Sequence, residues 1–345
     1  MYHYGRRSQR GGWMTFVLPT VTEKSDGSPR HVGLEFEFAG MDINEAAAAV
    51  CEVFGGTPCE DGTFVCRVEN TAYGNFSVEL DSSLLRSKGY ISLLRDIGID
   101  LDASQEKRIE RFLLDVAEEL VPYEVVAPPI PMTELDSMDD LREALHRRKA
   151  KGTRASILYA FGLQFNIEPP DLSVATLTNF LKAFLLCYPW LREAADIDVS
   201  RVLSPFIDKF PSGYTRLVTD PEYMPADIKF LIDGYLDSNS TRNRPLDCLP
   251  LFAHLDRDRV MSRAREKHLI KPRPAFHYRL PNCLIDDPNW RIADEWALWT
   301  EVDELSRRPD TLAAMAEDFQ NTPGFPFDLF TSSWKEKVPV WLGRA

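Results

Sequence analysis

His31-Val-Gly-Leu-Glu-Phe-Glu-Phe38 alternates like a pleated strand, but its polar side carries two carboxylates. Glu35 and Glu37 are two residues apart and point to one face, while Leu34, Phe36 and Phe38 point to the other. The apolar face can be buried in a core. The acidic face sets two like charges with Cβ atoms about 7 Å apart, which costs energy unless cations, donors or water offset it. Mg²⁺ or Mn²⁺ fits best, because hard divalent ions prefer carboxylate oxygens and Mg²⁺ is usually held by one or two carboxylates plus substrate phosphates. The alternative is a half-exposed strand with two solvated glutamates, since Glu-x-Glu alone is a weak signal.

Around this strand lies a chain of 345 residues, 44% hydrophobic and 11% aromatic, enough for a substantial core. A net charge of −13 argues against a nucleic-acid partner, because neutralising phosphates requires clustered Lys and Arg. An anionic substrate would need a local basic pocket. No apolar run of about eighteen residues is present and the first thirty residues are polar, so no membrane span or secretory signal is expected and the cytoplasm is the default. The six cysteines include no Cys-x-x-Cys pair and read as reduced, mostly buried small hydrophobes. No two of the six histidines are four apart, which leaves a zinc hydrolase little support.

Residues 1–30 read as a turn-rich, flexible leader, and 31–345 as one domain with helical additions after about residue 170. Asp42 with Glu45 forms a capping-box signature, so a helix is expected over 46–54, ended by Gly55-Gly56. Segments 63–68 and 75–81 alternate as a hairpin joined by 71–74, and 103–120 carries a helical period. A short strand over 123–130 is stopped by Pro128-Pro129. After a helix over 138–149 comes an apolar strand, 156–167, with Gln164 and Asn166 on one face. Further helices are expected over 174–194, 199–206, 225–236 and 289–306, a polar loop carries Arg242 and Arg244, and 275–283 reads as a strand with His277 and Arg279 on one side.

The order Gly33-Leu-Glu-Phe-Glu37, Glu79-Leu-Asp-Ser-Ser-Leu84, Glu124-Val-Val-Ala-Pro-Pro129, Gly162-Leu-Gln-Phe-Asn166 and His277-Tyr-Arg279 resembles the amidoligases, relatives of glutamine synthetase and glutamate-cysteine ligase. The likeness spans about residues 31–285. It implies an α+β fold: a curved antiparallel, glutamine-synthetase-like catalytic sheet, helices on its outer face and a largely helical C-terminal half. It also implies ATP and Mg²⁺ (or Mn²⁺) as cofactors, and small-molecule or peptide carboxylate and amine substrates joined through an acyl phosphate. On this resemblance Glu35 and Glu37 would bind separate metal ions, Glu124 would join one of them, and Arg279 would contact phosphate.

Two strands depart from the family pattern. Gln164 and Asn166 stand where Gly-x-His-x-His is usual, and His277 replaces the glutamate of the late Glu-x-Arg strand. His277 would then return an imidazole to the metal site, and Gln164 and Asn166 would serve as nucleotide-side donors. Arg242, Arg244 and Asp81 complete the candidate catalytic set, the arginines because a planar guanidinium grips phosphate in bidentate fashion. Glu35→Gln and Glu37→Gln are each expected to remove activity and leave the fold intact, since relieving repulsion in an empty site should stabilise rather than unfold the chain. The competing reading is a nucleotide- or peptide-binding regulatory relative without catalysis. Oligomeric state is left open, a homo-oligomer included.

Overall fold

β1 (His31–Phe38) folds as its alternation requires, with Val32, Leu34, Phe36 and Phe38 fully buried and Glu35 and Glu37 half-buried on the opposite face. The computed structural model describes residues 16–61, 65–80, 122–155, 161–198, 201, 207–322 and 332–344. Among these, β1 is joined by β2 (Thr57–Glu60), β3 (Val65–Thr71), β4 (Gly74–Leu80), β5 (Tyr123–Val126), β6 (Ile130–Pro131), β7 (Leu163–Ile167), β8 (Leu246–Asp247) and β9 (Phe276–Tyr278). They form one antiparallel sheet in the order β2-β3-β4-β5-β1-β7-β9-β8, with β6 beside the start of β1. The acidic strand therefore lies in the interior of the sheet.

Local chemistry sets the elements around it. Asp42 caps α1 (Ile43–Phe54) by accepting from the Asn44 and Glu45 amides at 2.8 Å, and Glu45 returns the bond to the Asp42 amide at 3.1 Å. The helix stops at Gly55, whose φ of 71° suits glycine. Its alanines and Phe54 then pack on the β3–β4 hairpin, where Phe54 stacks on Phe76 with ring centroids 4.9 Å apart. Pro128-Pro129 separates β5 from β6, as a ring without an N–H must. β2 is a strand the alternation did not announce, because all four of its residues are exposed and an edge strand needs no buried face.

The helices that follow are α2 (Ser137–Arg147), α3 (Val174–Ala194), α4 (Ser212–Val218), α5 (Ile228–Ser238), α6 (Leu249–Leu255), α7 (Arg257–Arg263), α8 (Ile292–Ser306), α9 (Pro309–Gln320) and α10 (Ser332–Trp341). The second half is thus largely helical, as expected. α3 is long and apolar enough to cross a membrane, but 78% of its most apolar window is buried inside the fold. Its role here is to back the sheet: Phe180 meets Phe276 at 5.2 Å and Phe184 meets Tyr278 at 5.9 Å, while Trp296 of α8 covers Phe165 at 5.7 Å. One face of the sheet is sealed by aromatic packing, and the other is left to polar residues.

Some of these expectations need adjustment, the strand over 275–283 being confined to Phe276–Tyr278, and others fall wholly or partly outside the described residues. Residues 16–30 are fastened to α8: the Thr20 amide donates to Glu304 Oε1 at 2.6 Å, Trp296 Nε1 donates to the Val17 carbonyl, and buried Arg30 pairs with Asp303 at 2.6 Å. This part of the leader is held by a buried ion pair that its turn-rich composition did not reveal. Of the strand expected over 156–167, Leu163–Ile167 is strand, and residues 156–160 lie outside the described residues. The helix over 103–120, Asp81, and all of the segment 199–206 except Arg201 lie outside the described residues.

Candidate active site on the polar face of the sheet

Strand register, read outward from β1, assembles the polar face. Glu37 lies opposite Glu124 of β5, which lies opposite Glu79 of β4, so three glutamates form a row across adjacent strands. Directly opposed side chains have Cβ atoms about 5 Å apart, and like charges in that position repel. On the other flank Glu35 lies opposite Gln164, Asn166 lies opposite His277, and His277 lies opposite Asp247 of β8. The face therefore runs from a row of acids on β4, β5 and β1 to an imidazole and guanidinium cluster at β9.

Hydrogen bonds tie the second flank into one network. Asn166 Nδ2 donates to Glu35 Oε1 at 2.7 Å, and Arg273 Nη2 approaches the same oxygen at 3.5 Å. Glu37 accepts from Gln164 Nε2 and, at 2.7 Å, from the Gly162 amide. Gln164 Oε1 in turn faces His277 Nε2 at 2.5 Å, and His277 Nδ1 faces Arg242 Nη2 at 3.3 Å. Since an arginine can only donate and an amide oxygen can only accept, the network assigns a neutral imidazole protonated on Nε2. Arg242, His277, Gln164 and Glu37 thus form a directed chain of donors ending on a carboxylate.

The electrostatics agree with that assignment. Burial lowers the pKa of His277, opposed by the charges of Glu35 and Asp247. Burial also acts to raise Glu35, but His277, Arg273 and the Asn166 amide hold its carboxyl well below the usual range. Asp247 is fully buried, yet His277 and Arg242 outweigh its burial and keep it below the ordinary value.

The structure gathers Glu35, Glu37, Gln164, Asn166, His277, Arg242 and Arg279 on this face and places Glu124 one strand away. It does not bring Arg244 there: that guanidinium is turned inward, onto Asn239 Oδ1 at 2.8 Å and the carbonyls of Lys209 and Ser238. Arg242 is present, but Asp247, the Leu269 carbonyl and His277 engage its Nε, Nη1 and Nη2. Arg279 donates to the Arg242 carbonyl at 2.9 Å, and its buried Nε has no partner. Arg273 Nε and Asn166 Oδ1 are buried without partners as well. Three groups were not singled out by the sequence: Arg273 between prolines, Asp247 in an apolar turn, and Arg201. Only the isolation of Asp247 among Leu, Cys and Pro was a signal.

Among the described residues no three His, Cys, Asp or Glu side chains converge as a metal shell. Hard oxygen donors are nonetheless present in Glu35, Glu37, Glu124 and the unpartnered Asn166 Oδ1, a chemistry suited to Mg²⁺, although both Glu37 oxygens also accept from protein donors. His277 suits it less, because both ring nitrogens already face protein partners.

Gly162 is a structural condition of the site. A Cβ there would stand 2.2 Å from Arg201 Nη1, whose guanidinium clasps the Phe161 and Arg279 carbonyls. Gly162→Ala is expected to cost about 1–3 kcal/mol through overpacking and to shift the Glu37 amide donor. A melting temperature equal to wild type would show that Arg201 can move freely. Beside Arg201 opens a cavity of about 390 Å³, also lined by Tyr188, Arg192, Asp208 and Lys209.

A family model described as "Putative amidoligase enzyme" matches residues 28–301, which span every strand of the sheet. No curated protein and no solved structure matches the chain. With most of its length matched, and with Glu35, Glu37, Glu124 and Arg279 set on one face in the family's order, the chain belongs to the amidoligase family.

Proposed function

We propose that the protein is an ATP- and Mg²⁺-dependent ligase that joins a carboxylate to an amine through an acyl phosphate. The observation that carries the reading is the polarity of the face. Acids on β1, β5 and β4 adjoin a guanidinium cluster whose Arg273 Nε and Arg279 Nε are buried and unspent. A buried donor without a partner costs about 1–3 kcal/mol, so these two are suited to an anionic ligand such as a phosphoryl group. Mg²⁺, when bound, would neutralise charge on that group, and Glu35, Glu37, Glu124 and the Asn166 oxygen are the residues that would hold it.

The chain's own contribution is positioning and charge. Arg279 and Arg273 would orient the transferred phosphoryl group toward the acceptor carboxylate, which attacks it, and the amine then displaces phosphate. The Arg242–His277–Gln164 chain fixes the Glu37 carboxylate, with the Gly162 amide on its other oxygen. The substrates would be of the carboxylate and amine classes, small or peptidic. We place the reaction in the cytoplasm.

Purified protein with ATP, MgCl₂ or MnCl₂, and pooled carboxylates and amines should release ADP and phosphate only when both substrate classes are present. ATP binding without ADP release under every combination would instead favour the second reading, a nucleotide-binding relative. That reading has one observation behind it, the closed His277–Gln164–Glu37 chain, in which protein groups occupy a usual ligand strand.

A further inference from the structure

Helix α3 carries a polar stripe that the sheet does not use. Thr178, Asn179 and Lys182 recur at helical spacing on the side of α3 turned away from Phe180 and Phe184, which pack against β9. They line a cavity of about 310 Å³, whose other walls come from the 221–225 loop and the first turn of α9. That volume lies at the lower end of small-molecule sites, about 300–1,000 Å³. The remaining lining is apolar, chiefly Tyr223, Met224 and Leu312.

Two groups that α3 brings to this cavity are unexplained by the fold, and the buried Tyr223 hydroxyl on the facing loop also has no partner. Lys182 is only 6% exposed and its Nζ donates to the Asp220 carbonyl at 2.8 Å; the charge of the Asp220 carboxylate acts on it too, but among the described residues no carboxylate forms an ion pair with it. An ammonium has three donors, so two are left for another acceptor. Thr178 is 5% exposed and its buried Oγ1 has no hydrogen-bond partner, although a helical threonine commonly bonds the carbonyl one turn back. Burying a cation and a hydroxyl with this few partners is unfavourable unless a ligand completes them. Met224, 86% exposed at the rim, leaves a large apolar side chain beside the entrance.

We propose that this cavity is a second binding site, separate from the catalytic face, for a small monocarboxylate with a short apolar or aromatic body. The carboxylate meets Lys182 Nζ and Thr178 Oγ1, and the body lies against Tyr223, Met224 and Leu312. One cation matches one negative charge. A nucleotide exceeds both the space and the charge available, and a dianionic phosphate would leave excess charge against apolar walls.

The test uses the full chain, with phenylacetate and hexanoate as probes, the neutral isostere phenylacetamide as control, and inorganic phosphate as a separate arm. Thermal melts should shift upward with the carboxylates at millimolar concentration but not with phenylacetamide or phosphate, and calorimetry gives the affinity. Lys182→Met should lose at least tenfold in phenylacetate affinity, since one charge-assisted contact is removed. Its own melting temperature should hold or rise, as a buried charge is gone. Ala313→Trp, at an exposed rim position, should block binding without touching the core, which keeps the proposal testable if Lys182→Met folds poorly. Absence of any carboxylate-dependent shift in wild type, equal affinity in Lys182→Met and wild type, or equal binding of phenylacetamide would each overturn it.

Discussion

Glu35→Gln is expected to lower ATP-dependent phosphate release by about two to three orders of magnitude, the scale known for removing one preorganised charge contact from an active site. It should also destabilise the protein at neutral pH. From the sequence the opposite sign is expected, because two glutamates on one strand face read as mutual repulsion in an empty site. The structure reverses it: Glu35 accepts from Asn166 at 2.7 Å and faces Arg273 and His277 at 3.5 Å, which holds its carboxyl well below the usual range against the cost of burial. Replacing a charged acceptor in such a cluster costs about 1.5–3 kcal/mol.

The pH dependence follows from the direction of the shift. A carboxylate held below its unfolded value contributes stability that is present above about pH 4.3 and is lost as pH falls through the lower folded value. The difference in stability between wild type and Glu35→Gln should therefore be present at neutral pH and shrink as pH falls through the folded value of Glu35. A variant as stable as wild type at pH 7, or one that keeps turnover, would remove Glu35 from both roles. Arg273→Gln supplies the coupling: if the two side chains act together, the double variant costs less than the sum of the singles.

What was legible in the sequence was local. The alternation of β1, the Asp42–Glu45 box, the Pro128-Pro129 break and the full extent of α3 are set by neighbouring residues, and the structure returns each of them. Alternation also placed Glu35 with Glu37, Gln164 with Asn166 and His277 with Arg279, since a period of two is fixed by the pleat. Register between strands was not legible. That Asn166 faces His277 depends on pairing across more than a hundred residues, and the resulting donor chain could not be derived from either strand alone. Loop arginines were the least legible, because polar composition does not say which guanidinium turns inward. Arg244 turned onto Asn239, and Arg273 between two prolines reached Glu35 instead.

Glu295→Gln should stabilise the protein increasingly as pH rises from 5 to 8. Glu295 lies on α8 among the side chains that seal the apolar face of the sheet, 6% exposed; its Oε1 accepts from Trp290 Nε1 at 3.1 Å and its Oε2 has no partner. Burial, assisted by Asp294, pushes its carboxyl up to about 8, with the Trp290 hydrogen bond opposing. At neutral pH the folded protein therefore holds a proton that the unfolded chain releases. Between the unfolded value near 4.3 and the folded one, stability falls as pH rises, at up to about 1.4 kcal/mol per unit for one such group. Glutamine copies the shape of the protonated acid and cannot ionise, so its stability should lack this slope. At about 1–2 °C per kcal/mol for a chain of 345 residues, the melting temperatures of the two proteins should separate by several degrees between pH 5 and pH 8. Parallel curves across that range would mean that Glu295 is ionised in the folded state, with a cation drawn to its unpartnered Oε2, and Arg201 and Arg154 are the two whose charges already act on it.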